Sequence, residues 1–175
     1  MNPEARAAGL VEWQLFTTLT FAQDGLTDKV KYSLLFAWLR EAAEWSGSSF
    51  KQVKWLCRQE AGEITGRQHF HLLLGGMPSD FVTIANCFRL MILWDHQPEK
   101  RAPAYQGKKL RVGMARVRKF DSGMDGVGYV LKGLKDCLLS GADIYEFSKF
   151  SLDTSSVTLS DSLVRELQTR MRQSR

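Results

Sequence analysis

A chain of 175 residues, 44% hydrophobic and 25% charged, has the composition of one soluble globular domain with room for its own core. No apolar run is long enough to span a bilayer, and the acid-bearing start MNPEARAAGLVEW lacks the apolar stretch of a secretion signal, so the expected location is the cytoplasm. The net charge of +5 suits an acidic polymer such as nucleic acid without requiring one.

The elements follow in chain order. Residues 13–21, WQLFTTLTF, place Trp13, Leu15, Leu19 and Phe21 on one parity and Thr18 and Thr20 on the other, which predicts a strand. Asp24-Gly25 ends it. Tyr32, Leu35, Phe36, Leu39 and Ala43 then recur at helical spacing over about 27–45. Residues 50–60 and 67–75 read as a strand pair joined by the glycine-bearing loop 61–66. Pro78-Ser79-Asp80 opens a second helix with the stripe Phe81, Ile84, Ala85, Phe88 and Ile92. A polar loop over 95–109 leads to a basic fourth strand, 110–120, and a third helix is expected over about 125–139. After Phe150 the chain is Ser/Thr-rich and ends in an amphipathic helix carrying Leu163, Val164, Leu167 and Met171. The division expected is a main domain over 1–150 and a tail over 151–175.

The order βαββαβα predicts an α+β fold of ferredoxin-like, split βαβ type, an antiparallel sheet with two helices on one face. Cys57, Cys87 and Cys137 are odd in number, widely spaced and without a CxxC, so they read as small buried hydrophobes in a reducing compartment.

Two of the three histidines stand one residue apart in QHFHLLL. On a strand, Phe70, Leu72 and Leu74 share one face and can pack under the helices. His69 and His71 then fall on the uncovered face. That is a poor place for core histidines and a good one for metal ligands. The partner strand ends at Glu60, close to His69 if the loop is tight, with Glu63 within the turn as its rival. Two imidazoles and one carboxylate leave coordination positions free, as a catalytic site does and a closed structural site does not.

On the expected helix over 125–139, Val127, Val130, Leu131, Leu134 and Leu138 cluster on one side. Tyr129, Lys132 and Asp136 lie opposite. An off-stripe tyrosine is either an ordinary half-exposed residue or a nucleophile. A phenol with a pKa near ~10 needs help at neutral pH, which a nearby metal and a lysine one turn away provide.

Taken together, FTTLTF at 16–21, His69-Phe70-His71 and Tyr129-Val130-Leu131-Lys132 resemble the three ordered motifs of the HUH endonucleases. More narrowly, they resemble single-tyrosine rolling-circle replication initiators (Rep proteins) of plasmids and single-stranded DNA viruses. The resemblance implies that His69, His71 and an acid assigned to Glu60 bind Mg²⁺ or Mn²⁺, which polarises the scissile phosphodiester of single-stranded DNA at an origin. It implies Tyr129 as the nucleophile, giving a 5′-phosphotyrosine and a free 3′-OH, with Lys132 positioning the reacting groups. The histidines precede the tyrosine, unlike in conjugative relaxases. Single-tyrosine transposases of insertion sequences share this order but carry Gln or Asn where Lys132 stands. No GxxxxGK[ST] occurs, so host helicase and polymerase are the expected partners, or the chain is one part of a larger initiator.

Arg111, Arg116, Arg118, Lys119, Lys108 and Lys109 precede the tyrosine motif and are candidates for phosphate contacts. Trp13, Trp45, Trp55 and Trp94 have the rings to stack on bases, though core positions suit most of them better. A ferredoxin-like nucleic-acid-binding module without cleavage is the non-enzymatic alternative. It explains the fold and the charge but not an HxH on the uncovered face.

Overall fold

A computed structural model describes residues 12–62, 64–96, 111–123, 149–152 and 155–173. The first strand, β1 (Trp13–Thr20), alternates strictly between buried and half-buried positions, as its sequence parity requires. Helix α1 (Asp28–Trp45) starts at Thr27, whose hydroxyl accepts the Val30 N–H, and buries Leu34, Leu35, Trp38, Leu39 and Ala42. Strands β2 (Lys54–Ala61) and β3 (Gln68–Gly75) form a hairpin. Gly76 ends β3 at φ 79°, where an added Cβ would also run into the Gln52 carbonyl, so no other residue fits. A single 3₁₀ turn (Ser79–Phe81) precedes α2 (Ile84–Asp95), which is capped by Thr83. The helix therefore begins later than Pro78-Ser79-Asp80 suggests. Strand β4 (Ala115–Lys119) is followed, beyond residue 148, by β5 (Lys149–Leu152), β6 (Ser155–Leu159) and α3 (Asp161–Gln173).

The six strands form one sheet in the order β4-β1-β3-β2-β6-β5. β3 runs antiparallel to both β1 and β2, so β1 and β2 are parallel with β3 inserted between them. This is the split βαβ arrangement, and the first four strands bear out the expected α+β, ferredoxin-like fold. The Ser/Thr-rich stretch after Phe150 is not loop: it completes β5 and supplies β6, which pairs antiparallel with β2. Both α3 and β6 are tied to β2, since Ser160 N–H donates to the Trp55 carbonyl at 2.9 Å and Lys54 pairs with Glu166 at 2.7 Å.

Both α1 and α2 pack on one side of the sheet, over Leu15, Leu19, Trp55, Cys57, Phe70, Leu72 and Leu74. Each fully buried Leu or Phe contributes roughly 1.5–3 kcal/mol by leaving water. Cys57 and Cys87 are buried and unpaired, as expected, and Cys137 lies outside the described residues. The α2 stripe is out of phase with the sequence expectation. Cys87, Leu90 and Trp94 face the core, while Ile84, Phe88 and Ile92 are 92%, 60% and 45% exposed. The helix is apolar on two sides, and hydrogen bonds select between them: Trp94 Nε1–H donates to the Thr20 carbonyl and Trp38 Nε1–H to the Leu90 carbonyl, both at 2.9 Å. Trp13 and Trp55 are also core residues, and only Trp45 of the four is exposed. Among the described residues no helix is long and apolar enough to cross a membrane.

Candidate metal centre and nucleic-acid face

The hairpin register builds the site. Glu60 on β2 stands opposite His69 on β3, and Arg58 opposite His71. On the other side of β3, Thr20 stands opposite His69 and Thr18 opposite His71. Cross-strand neighbours on one face sit within side-chain reach, so two rows, Thr20–His69–Glu60 and Thr18–His71–Arg58, converge away from the helices.

Glu60 Oε2 lies 3.8 Å from Nε2 of both His69 and His71. One ligand atom from each of the three residues lies within 4.8 Å of the others. The three side chains keep 15% to 20% of their surface exposed, enough for an ion and a substrate to reach them. Bonds of ~2.1 Å at right angles put donor atoms about 3 Å apart, so closing around a divalent ion needs movements of about 1 Å.

The surrounding groups fix the donors. His69 Nδ1–H points at the Arg67 carbonyl at 3.4 Å, leaving Nε2 with its lone pair toward Glu60. His71 Nδ1 is 3.1 Å from Thr18 Oγ1, and donating that proton to the hydroxyl likewise bares Nε2. Arg58 Nε pairs with Glu60 Oε1 at 2.7 Å, so one carboxylate oxygen is clamped and the other is aimed at the imidazoles. Burial first, and then the neighbouring His69, lowers the His71 pKa from 6.5 to about 4, with Glu60 opposing and Arg58 adding to the shift. His71 is therefore neutral at physiological pH, the state a metal ligand needs. Two neutral imidazoles and one carboxylate fit a divalent ion that keeps positions open. Glu60, His69 and His71 form the one such grouping among the described residues.

The face is less bare than the sequence suggests. Leu56 and Leu73, one row further along on the histidine side, have no exposed surface, and Arg58 keeps only 7%. The cluster thus sits on the border between covered and accessible surface, which explains why His71 is desolvated.

The basic residues divide. The β1–β4 register sets Arg116 opposite Thr18 and Arg118 opposite Phe16, on the histidine side. Arg118 lies over the Phe16 ring, 4.8 Å from its centroid, and Phe16 in turn neighbours His71 at 6.2 Å. Lys119 has the opposite parity and is exposed at the strand's end. Arg111 precedes β4 and makes a two-pronged pair with Asp95 at the end of α2, with Nε 2.8 Å from Oδ2. Lys108, Lys109, Glu63, Tyr129 and Lys132 lie outside the described residues. Thr18 and Arg58 are the residues that spacing alone does not single out, because their part in the site appears only once the strands are placed in register.

An α+β sheet with a His/His/Glu cluster on its helix-free face and arginines in register beside it has the makings of a metal-assisted nucleic-acid site. The chain matches the sequence model of the replication-associated protein family of the ORF2 type over residues 14–136, and it belongs to that family. No curated protein and no solved structure matches it.

Proposed function

We propose that the protein is an HUH-type replication initiator that nicks and rejoins single-stranded DNA through Tyr129. Family membership supports a role in starting replication, and the convergence of Glu60, His69 and His71 carries the chemistry. These three residues would hold Mg²⁺ or Mn²⁺, which supplies Lewis acidity at a phosphodiester oxygen when bound. The Tyr129 phenolic oxygen forms the new bond to phosphorus as the bond to the 3′ oxygen breaks. The phenol proton is lost, the 3′ oxygen leaves as a hydroxyl, and a 5′-phosphotyrosine remains for the joining step. Lys132, one helical turn from Tyr129, offsets charge on the phosphate. Arg116 and Arg118 guide the strand across β4 and β1, and Lys108, Lys109, Arg111 and Lys119 add phosphate contacts. The released 3′ end serves a host polymerase, with a host helicase opening the duplex.

A covalent-trapping assay tests this reading. The protein is mixed with Mn²⁺ and a labelled pool of randomised single-stranded DNA, and then denatured in SDS. The expected result is label migrating with protein, lost in Tyr129→Phe and in EDTA. DNA binding without any adduct, including on origin-like hairpins, would leave a binding module instead.

A further inference from the structure

Beside the metal cluster lies a second concavity, about 450 Å³ in volume, between the end of β1, the β2–β3 turn and the segment entering β4. That volume falls within the ~300–1,000 Å³ typical of small-ligand sites. His69 forms part of its wall, so whatever sits there touches a member of the cluster.

The cleft is held by its own backbone. Thr20 N–H donates to the Met114 carbonyl and Ala22 N–H to the Val112 carbonyl, both at 2.8 Å, and Gly62 N–H closes the turn on the Arg67 carbonyl at 2.8 Å. Gly113 is required in this wall because a Cβ there would collide with the Thr20 carbonyl. Binding therefore costs little ordering.

Its chemistry has two parts. Phe21, Ala22 and Met114 offer apolar surface, and Met114 is 76% exposed, an adaptable thioether with no core role. Arg67 and Arg111 add guanidinium groups with 58% and 74% of their side chains exposed. Arg111 neutralises Asp95, the one acid of the wall. Arg67 is held only by an exposed 3.6 Å pair with Asp24, a contact worth little, so turning toward a phosphate costs little.

We propose that this cleft seats one unpaired nucleotide of the DNA strand, its base against Met114 and the apolar wall and its phosphate toward Arg67, next to the phosphodiester presented to Glu60, His69 and His71. The identity of the strand rests on the nuclease reading above. The cleft adds a means of placing a base at a fixed distance from the bond to be cut.

The test is anisotropy of fluorescent oligothymidylate with the full-length chain in EDTA across a salt series, with adduct formation in Mn²⁺ scored in parallel. Met114→Ala should weaken binding about tenfold with the salt slope unchanged, as loss of a stacking surface does. Arg67→Ala should lower the slope by about 0.7, one phosphate of a single strand. Lys29→Ala, at an exposed position on α1, should change neither. Both side chains are exposed, so their loss leaves the core intact. Parental binding by both variants, with adduct still formed, would overturn the cleft and spare the nuclease reading. Impaired binding by both, with no adduct from the parent chain, would keep the cleft as a DNA subsite and overturn the nuclease reading.

Discussion

Alternate residues of β3 do opposite kinds of work. Phe70, Leu72 and Leu74 point under α1 and α2 and have no exposed surface. His69 and His71, between and beside them, point the other way and keep part of theirs. One strand thus carries the core on one side and the candidate chemistry on the other, separated by a single residue of register. A one-residue slip would bury two imidazoles and expose three large apolar side chains, so the packing of the helix face also fixes the geometry of the site.

The largest effect should come from breaking the helix face. Phe70→Ala should cost about 3–5 kcal/mol in denaturant unfolding, since the ring is fully buried against Phe21 and Tyr32. The folded fraction should still bind Mn²⁺. A loss below about 1 kcal/mol would mean that the two faces are not divided as described.

Arg58→Gln sharpens the histidine face. Removing a cation near the cluster relieves repulsion toward a metal and by itself would tighten Mn²⁺ binding. Releasing Glu60 Oε1 frees the carboxylate to swing and weakens it. The clamp should dominate, with affinity falling about tenfold by calorimetry and Arg58→Lys recovering part of the loss. Tighter binding in Arg58→Gln would show that the arginine acts as charge alone. Thr18→Val, which removes the partner of His71 Nδ1, should lower Mn²⁺ affinity by a similar or smaller factor while leaving the melting temperature nearly unchanged.

The metal-free protein should also respond to acid through His71. Its folded pKa of about 4 lies below the ordinary 6.5, so the unfolded chain takes up the proton first. Stability associated with the neutral ring is full above about pH 6.5, falls as the pH drops toward about 4 and is flat below that. Proton NMR in EDTA should find the His71 ring titrating well below His96, which is exposed at the end of α2. A shared midpoint would contradict the desolvated placement. The smallest effect is expected at Phe88→Ser, within about 0.5 kcal/mol, because that ring faces solvent.

The same strand explains what was legible in the sequence. Alternation in β1 and β3 is a local signal, so the strands, the division of Phe70 from His69 and His71, and the nearness of Glu60 could be read directly. The α2 face could not, because Ile84, Phe88 and Ile92 compete with Cys87, Leu90 and Trp94 on equal terms and two long-range indole hydrogen bonds decide between them. The hairpin of β5 and β6 was hidden in Ser/Thr-rich sequence, since pairing with β2 rather than an apolar pattern defines it. Thr18 and Arg58 enter the site through cross-strand register, which no spacing along the chain reveals.

The central claim is that Glu60, His69 and His71 form one divalent-metal site. The most direct measurement is Mn²⁺ binding followed by electron paramagnetic resonance in the parent chain and in His71→Ala. One site per chain, weakened at least a hundredfold by the substitution while the melting temperature holds, is the predicted result. Mn²⁺ binding of equal affinity and stoichiometry in both proteins would contradict the account.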